Sequence, residues 1–172
     1  ISSAAIVVDG KVAAACAEER LTREKLTRAF PKNAVNYCLE KLNINLDQID
    51  YIANSYNPAV LLKKFHPIFS NQRRFRGDYY YSIPDFLLNK DRQIGEDSDY
   101  SSQKIRLGKK ELDIYYITHH LCHAANGFYL SPYKKSAILT ADSAGEDDSA
   151  NFLVGNKNEI KLLKKIKIPH ST

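Results

Sequence analysis

The chain lacks several features that would place it in a membrane or outside the cell. Its 172 residues include no methionine and three cysteines. No apolar run approaches the roughly 20 residues that span a bilayer. Cys16, Cys38 and Cys122 are odd in number and show no CxxC spacing, so no disulfide framework is expected. These absences predict a cytoplasmic protein with free, buried thiols and no membrane partner.

The two ends of the chain predict a piece of a longer protein. The opening "ISSAAIVVDGK" starts at Ile1, lacks the basic segment of a signal peptide and reaches an acid at Asp9. The chain stops at "KIPHST", which completes no recognisable element. We therefore expect no signal peptide, and we expect the remaining domains of the same protein to be among its partners.

Positive charge is concentrated in one segment. The formal net charge is +5, and residues 61–110 hold 11 Lys and Arg against 6 Asp and Glu, whereas the rest of the chain holds 14 of each sign. Within the segment, "QRRFRGDYYYS" mixes arginines with aromatic rings, as in sites for single-stranded nucleic acid. Because the run is short and the rest is neutral, nucleic acid is not the favoured partner. We favour a substrate-side or subunit-facing insertion.

The first third of the chain has strand and helix patterns. "AAIVVDGKVAAACAEE" predicts a hairpin that turns at Asp9-Gly10, where both residues tolerate positive φ. "EERLTREKLTRAFP" follows as a charged connection. "FPKNAVNYCLEKLNINL" has helical spacing with Pro31 in the first turn, and residues 47–55 read as a strand with its lead-in.

The pattern resumes after a break. "LDIYYI" predicts a buried strand, a helix begins near His119 and ends at Pro132, and "SAILTAD" predicts a further strand. A second hairpin follows, turned at residues 155–158. Strands that alternate with helices predict an α/β fold, with a mixed β-sheet and helices packed on it.

Two patterns divide the chain into parts. Residues 57–110 have no sustained period, and we expect a variable basic and aromatic insertion, partly helical around "AVLLKKF" and otherwise loop-rich. A hairpin with an acidic or glycine-containing turn occurs near both ends, as in two lobes built alike. We assign residues 1–135 to a first lobe and residues 136–172 to the truncated opening hairpin of a second.

Three of the five histidines stand in "THHLCHAANGFYLSP". His119 and His123 are four residues apart, which places both imidazoles on one face of a helix, whereas His120 points about 100° away. Asp142 ends "SAILTAD" and reaches the edge of the sheet. The three residues form a ligand set with open positions, typical of a catalytic divalent metal such as iron. The alternative is a solvated helix face, or core histidines, beside a polar loop.

Two further motifs are candidates for binding phosphate. In "DSAGEDD" the residues after Asp142 are small, which lets backbone amides approach a phosphate. In "EERLTREKLTR", Lys25 and the neighbouring arginines form a pattern suited to gripping an anion. The alternatives are a polar hairpin loop for the first motif and an exposed charged connection for the second.

Together the motifs resemble the N-terminal region of the O-carbamoyltransferases, the family of nodulation and antibiotic-tailoring carbamoyltransferases. The resemblance is carried, in this order, by "SSAAIVVDGKVAAACAEERLTREK", "FPKNAVNYCLEKLNI", "THHLCHAANGFYLSPY", "AILTADSAGE" and "IKIPHS". It covers nearly all of residues 2–56 and 112–171 and is weak across 57–110. Several linked motifs in order are more specific than any one of them.

The resemblance implies an actin-like, Hsp70-like ATPase fold of the RNase H-like type. It implies that the whole protein makes a carbamoyl-adenylate from carbamoyl phosphate and ATP in a second domain of the YrdC type. The carbamoyl group then passes to a hydroxyl of a small acceptor, a sugar or natural product, beside a divalent metal reported as iron in the family. The fragment alone is expected to be inactive.

The resemblance also implies roles for individual residues. His119, His123 and Asp142 correspond to metal ligands, and Asp142 is also expected to be catalytic near the nucleotide. Lys25, in the "ERxTRxK" motif, is implied as a catalytic residue that faces nucleotide or acceptor. The turn usually written DGxGE, which faces the nucleotide phosphates, corresponds to Ser143, Ala144, Gly145 and Glu146.

The chain departs from the family pattern at three places. Ser143 replaces the first glycine of DGxGE, where a Cβ would crowd a backbone of positive φ. Leu26 stands where a histidine often follows the lysine. The family normally has a histidine, suited to act as a base, just before a stretch written "DSAA". This sequence begins at Ile1, at the place of the residue after that histidine, so the histidine lies outside the given sequence.

Two rival functions stay open at the level of sequence. One is an actin-like sugar kinase or ATPase lobe, which needs phosphate loops but no HxxxH pair. The other is a binding module for nucleic acid or protein that uses the basic insertion. The sequence also leaves open whether two copies form a homodimer.

Overall fold

Groups of two or three strands are separated by helices along the described chain, so the α/β class is confirmed. The computed structural model describes residues 2–57, 99–107, 109–143, 145–168 and 170. The chain divides into two compact units, one made of Ile1–Asp50 with Leu107–Lys110 and the other of Tyr51–Arg106 with Glu111–Thr172. The predicted lobe boundary at residues 135 and 136 falls within the second unit, and the lobe assignment stays a prediction.

The first unit opens with the predicted hairpin. Strands β1 (Ser3–Val8) and β2 (Lys11–Ala17) pair antiparallel. Between them Asp9 and Gly10 have φ values of 50° and 76°. Both values lie in the left-handed region that a two-residue turn of the predicted type requires. The hairpin prediction is therefore confirmed down to its turn.

A short helix follows where only a charged connection was expected. Helix α1 (Glu18–Thr22) begins directly after β2, and the side chain of Glu18 is buried. Its carboxylate accepts hydrogen bonds from the backbone N–H groups of Asn33 and Ala34 at 3.3 and 2.8 Å. Burial alone would raise the pKa of Glu18, but these hydrogen bonds, together with one from the side-chain amide of Asn33, outweigh it and hold the pKa below its ordinary value. The charge run is thus only partly a solvated connection.

Glu18 caps the second helix of the unit from a distance. Helix α2 (Lys32–Leu42) confirms the predicted helix, and it packs on the hairpin through Ala34 and Cys38, which are fully buried. Pro31 lies just before the helix rather than in its first turn and supplies no side-chain cap. The first N–H groups of a helix have no hydrogen-bond acceptor within the helix. The carboxylate of Glu18 is the acceptor for two of them in α2.

A three-stranded sheet contains the strands predicted before and after the variable insertion. Its order is β3 (Tyr51–Asn54), β5 (Lys110–Ile117) and β4 (Tyr100–Leu107), and β3 runs parallel to β5. Strand β4 shows that the expectation of a loop-rich segment is wrong for residues 100–107. The helix expected around residues 59–65 lies outside the described residues.

A second three-stranded sheet supports the helix that carries the histidines. Strands β6 (Lys135–Ala141), β7 (Asp148–Asn156) and β8 (Glu159–Lys167) pair antiparallel in that order. Helix α3 (His119–Tyr129) packs against β6 and β7. The second hairpin turns at residues 157 and 158, inside the predicted range.

The strands do not form the single mixed sheet that was expected. In the part of the chain that the structure describes, they form one two-stranded and two three-stranded sheets. Alternating patterns predict strands but not their partners, because pairing is decided by contacts distant in sequence. The actin-like assignment stays a prediction.

All three cysteines are free in the structure. Cys38 is buried, whereas Cys16 and Cys122 are half-buried. Burial raises the pKa of the Cys38 thiol, and it raises the pKa of Cys122 to about 11, with a smaller contribution from the charge of Glu146.

Among the described helices, none is both long enough and apolar enough to cross a membrane.

Gly155 of β7 lies against the ring of Phe128 on α3. A Cβ at this position would lie 2.6 Å from ring carbons Cδ2 and Cε2, and Phe128 is buried. We expect Gly155→Ala to lower the free energy of unfolding by about 1–3 kcal/mol, because the helix or the ring must move. Urea unfolding measures the change. Gly127→Ala is the control, since a Cβ there meets no atom within 4 Å. Equal midpoints for wild type and Gly155→Ala would contradict the expectation.

Candidate metal centre

Helix α3 presents its histidines on two faces. His120, Ala124 and Phe128 follow one another at intervals of four residues, and all three are buried against the sheet. His119 and His123 lie on the neighbouring face, with 32% and 52% of their side chains exposed. Their ring centroids are 4.4 Å apart, and the rings are nearly perpendicular, at 87°. The helical spacing therefore separates a half-exposed pair from a core histidine.

The histidine pair meets Asp142, the residue that follows β6. Nε2 of His119 lies 2.9 Å from Asp142 Oδ2 and 2.9 Å from Nε2 of His123. Nε2 of His123 lies 3.4 Å from the same carboxylate oxygen. In the described residues these three form one group of potential metal ligands, all within 4.8 Å of one another. The structure thus brings together the residues that the spacing selected.

The separations of the three atoms fit one first-row metal ion. A triangle with sides of 2.9, 2.9 and 3.4 Å has a circumscribed radius of about 1.8 Å, so a point about 2.1 Å from all three atoms exists, at an ordinary metal–ligand distance. The facing imidazole nitrogens cannot both donate along the line that joins them, so at least one presents a lone pair. Two imidazoles and a carboxylate suit iron or zinc better than magnesium.

Local hydrogen bonds keep Asp142 ionised. His119 contacts one carboxylate oxygen, and the backbone N–H of Ser143 donates to the other at 2.6 Å. The hydrogen bond with His119 is the main cause, followed by that from Ser143, of a pKa lowered to about 2. At neutral pH Asp142 is therefore a carboxylate, able to act as an anionic ligand but weak as a base.

Two hydrogen bonds hold the ring of His120 in place beside the pair. Its Nε2 lies 3.1 Å from the carbonyl oxygen of Asp148, which can only accept, so Nε2 carries a hydrogen. Its Nδ1 lies 2.9 Å from Thr140 Oγ1, within hydrogen-bond distance. With 1% of its surface exposed, His120 ties α3 to β6 and β7 and is not a candidate ligand.

The loop 142–146 has tasks that sequence alone did not reveal. A Cβ on Gly145 would lie 2.6 Å from Cδ2 of His120, so glycine is required there by close packing. The N–H of Gly145 donates to the carbonyl of Asp148 at 2.8 Å. Positive φ values in the described residues do not include Ser143, so the crowding expected from its Cβ does not arise. Ala144 lies outside the described residues, and the phosphate role of the loop stays a prediction.

Glu146 was expected to face phosphate, yet its carboxylate is turned to the protein interior. It is 7% exposed and accepts hydrogen bonds from the backbone N–H groups of Asn57 and His119. These partners lie 89 and 27 residues away in sequence, so no local pattern signals the contact.

Lys25 lies in an exposed turn of the first unit. The turn is flanked by Arg23 and Leu26, with left-handed φ values of 64° and 59°. Leucine is unusual in that region, and Leu26 is 69% exposed, so the turn holds a strained backbone without burial to support it. The proposed role of Lys25 stays a prediction.

Comparison with known proteins indicates a family for the chain, and the family model and the similar proteins agree. A family model described as the carbamoyltransferase N-terminus matches residues 2–172. The chain is 32% identical to the nodulation protein NolNO of Sinorhizobium fredii, over 94% of this chain and 22% of that protein. It is 29% identical to the uncharacterized protein sll1178 of Synechocystis sp., over 99% of this chain and 28% of that protein.

A more distant relative is the uncharacterized protein MJ1051 of Methanocaldococcus jannaschii, 25% identical over 94% of this chain and 24% of that protein. The chain thus spans between 22 and 28% of the length of these curated relatives. Because the family model matches almost the whole chain, the chain belongs to the carbamoyltransferase family, as part of its N-terminal domain.

Proposed function

We propose that the chain is the acceptor-side part of an O-carbamoyltransferase that carries a metal ion on His119, His123 and Asp142. The whole protein transfers a carbamoyl group from carbamoyl phosphate, through an ATP-dependent carbamoyl-adenylate, to a hydroxyl of a small molecule. The observation that carries the proposal is the meeting of the three ligand atoms, in a chain that belongs to the carbamoyltransferase family. The actin-like fold is part of the same proposal and rests on the motif resemblance.

The proposed transfer breaks one bond and forms another. The acceptor hydroxyl loses its proton to a base and its oxygen attacks the carbamoyl carbon, while AMP leaves with the bonding electrons. A divalent ion at the centre would supply Lewis-acid stabilisation of the negative charge that develops. Asp142 enters the proposal as a ligand that brings negative charge beside the ion, and the base is assigned to another group.

Two further assignments complete the proposal. Lys25 faces the nucleotide or the acceptor, supported by its position in the "ERxTRxK" motif and by its exposure. The loop from Ser143 to Glu146 lies beside the nucleotide phosphates, with the Ser143 hydroxyl as its polar group. In this proposal the carboxylate of Glu146 does not contact the phosphates; it accepts hydrogen bonds from the backbone N–H groups of Asn57 and His119.

Metal retention tests the proposal directly. We expect the full-length protein, purified anaerobically without chelator, to retain about one equivalent of iron or zinc on the donor set of two imidazoles and one carboxylate. Elemental analysis by mass spectrometry measures it. The variant His119→Ala/His123→Ala should lose the metal, whereas Asn126→Ala, on the exposed side of α3, should keep it. Retention of magnesium alone would instead favour a phosphate-transferring ATPase.

A further inference from the structure

One buried carboxylate joins three segments of the second unit. Both oxygens of Glu146 accept from the N–H of His119 at 3.1 Å, and Oε1 also accepts from the N–H of Asn57 at 2.8 Å. Asn57 follows β3, His119 opens α3, and Glu146 precedes β7. Asn57 is itself anchored, because its Oδ1 accepts from Ser101 Oγ of β4 at 2.8 Å, and both residues are 0% exposed.

Helix α3 depends on this carboxylate for its first turn. Thr118, at the N-cap, makes no side-chain hydrogen bond to the helix, and the first turn contains no acidic residue. The first N–H groups of a helix lack partners within it, and its N-terminal dipole favours negative charge. Glu146 supplies both a hydrogen-bond acceptor and a charge, from a segment that is 27 residues away.

The loop between β6 and β7 therefore holds His119 at two points. Asp142, at its start, contacts the imidazole at 2.9 Å, and Glu146, near its end, contacts the backbone N–H of the same residue. His123 lies one turn further along α3. A shift of the first turn would change the distances from both imidazole nitrogens to the carboxylate of Asp142.

We infer that Glu146 is a positioning residue, whose buried carboxylate fixes the first turn of α3 where His119 and His123 meet Asp142. The inference rests on the proposed metal centre and adds to it a residue that touches neither metal nor substrate. Partners of ligating side chains govern metal affinity because they orient the ligands, and Glu146 acts in the same sense on the backbone that carries one of them. In this inference the glutamate of the DGxGE-like turn acts by accepting a hydrogen bond from the backbone of α3.

The test compares two helix-capping glutamates in the full-length protein. Glu146→Gln keeps the side-chain shape, but the amide offers one acceptor oxygen and turns an N–H₂ donor toward backbone N–H donors. Glu18→Gln makes the same change at the start of α2, where no histidine pair follows. Co²⁺ is the probe, since its visible absorption reports both affinity and ligand geometry. Chemical unfolding measures stability in parallel.

We expect Glu146→Gln to weaken Co²⁺ binding by about 10- to 100-fold and to change the visible band. Glu18→Gln should lower stability while leaving the Co²⁺ dissociation constant within about twofold of wild type. If Glu146→Gln fails to fold, Glu146→Asp, which keeps the charge but shortens the reach, takes its place with the same expectation.

Three results would overturn the inference, and they are distinguishable. If the glutamine variants both lose stability and both bind Co²⁺ as wild type does, Glu146 is a structural cap only and the metal centre stands. If the wild-type protein binds no Co²⁺, the proposed metal centre fails and the positioning role fails with it. An unchanged visible band for Glu146→Gln at saturating Co²⁺ would also overturn it, because the ligand geometry would then be that of the wild type.

Discussion

We expect replacement of both His119 and His123 by alanine to remove the proposed carbamoyl transfer by the full-length protein, with a fall in kcat on the order of 10³-fold or more, or about 4 kcal/mol. The two imidazoles are two of the three ligand atoms that lie within 4.8 Å. Of the three ligands in the described part of the chain, the exposed carboxylate of Asp142 is then left alone, and one carboxylate holds a divalent ion weakly. The expected loss is therefore in the chemical step rather than in substrate binding.

The assay can separate this effect from misfolding. Carbamoylated acceptor, measured by mass spectrometry, reports transfer, and pyrophosphate release reports formation of the adenylate, which the motif resemblance places in another domain. We expect the first to be lost and the second to persist in the double variant. Asn126→Ala on the same helix is the control and should keep both. Full transfer activity in the double variant would remove the proposed function.

The histidine between these two should behave in the opposite way. We expect His120→Ala to lower the free energy of unfolding by about 3 kcal/mol or more. The substitution leaves a cavity, and it leaves the Thr140 hydroxyl and the Asp148 carbonyl without the partners that His120 provides. Its packing against Gly145 is lost as well. This histidine is expected to act on stability rather than on ligation.

A neighbouring histidine supplies the matched control. His123→Ala removes an imidazole that is 52% exposed, and in metal-free protein it should change the free energy of unfolding by no more than about 0.5 kcal/mol. Urea unfolding with a chelator present compares the two variants. No loss for His120→Ala would show that its buried hydrogen bonds do not stabilise α3 on its sheet, and a similar loss for both variants would show that the effect is not specific to the buried histidine.

Local patterns predicted most elements of the fold. The hairpin at Asp9-Gly10, helix α2, strands β5 and β6, and helix α3 are where periodicity and turn residues placed them. These signals work because helix and strand periods are set by the backbone within a few residues. Helix α1 was missed since its charge run looks solvated, and β4, "YSSQKIRL", was missed because it is polar and lies in a segment without a period.

Part of the candidate site was also predictable from local patterns, because the backbone period sets which side chains share a face. A spacing of four residues places His119 and His123 on one helical face whatever surrounds the helix. The position of Asp142 at the end of a strand was also readable. The inward role of Glu146 and the close packing that requires Gly145 were not readable, because both depend on contacts with residues in other elements.

The amino-acid sequence alone determined the family, the α/β class and the two imidazoles that share a face, because each follows from motif order or from a backbone period. Only the tertiary structure decided which carboxylates meet which helices. Glu18 and Glu146 both look like members of exposed acidic runs, yet each is buried against the first turn of a helix distant in sequence. Helix ends need partners for their N–H groups, and where no nearby side chain provides one, the packing of the chain selects it.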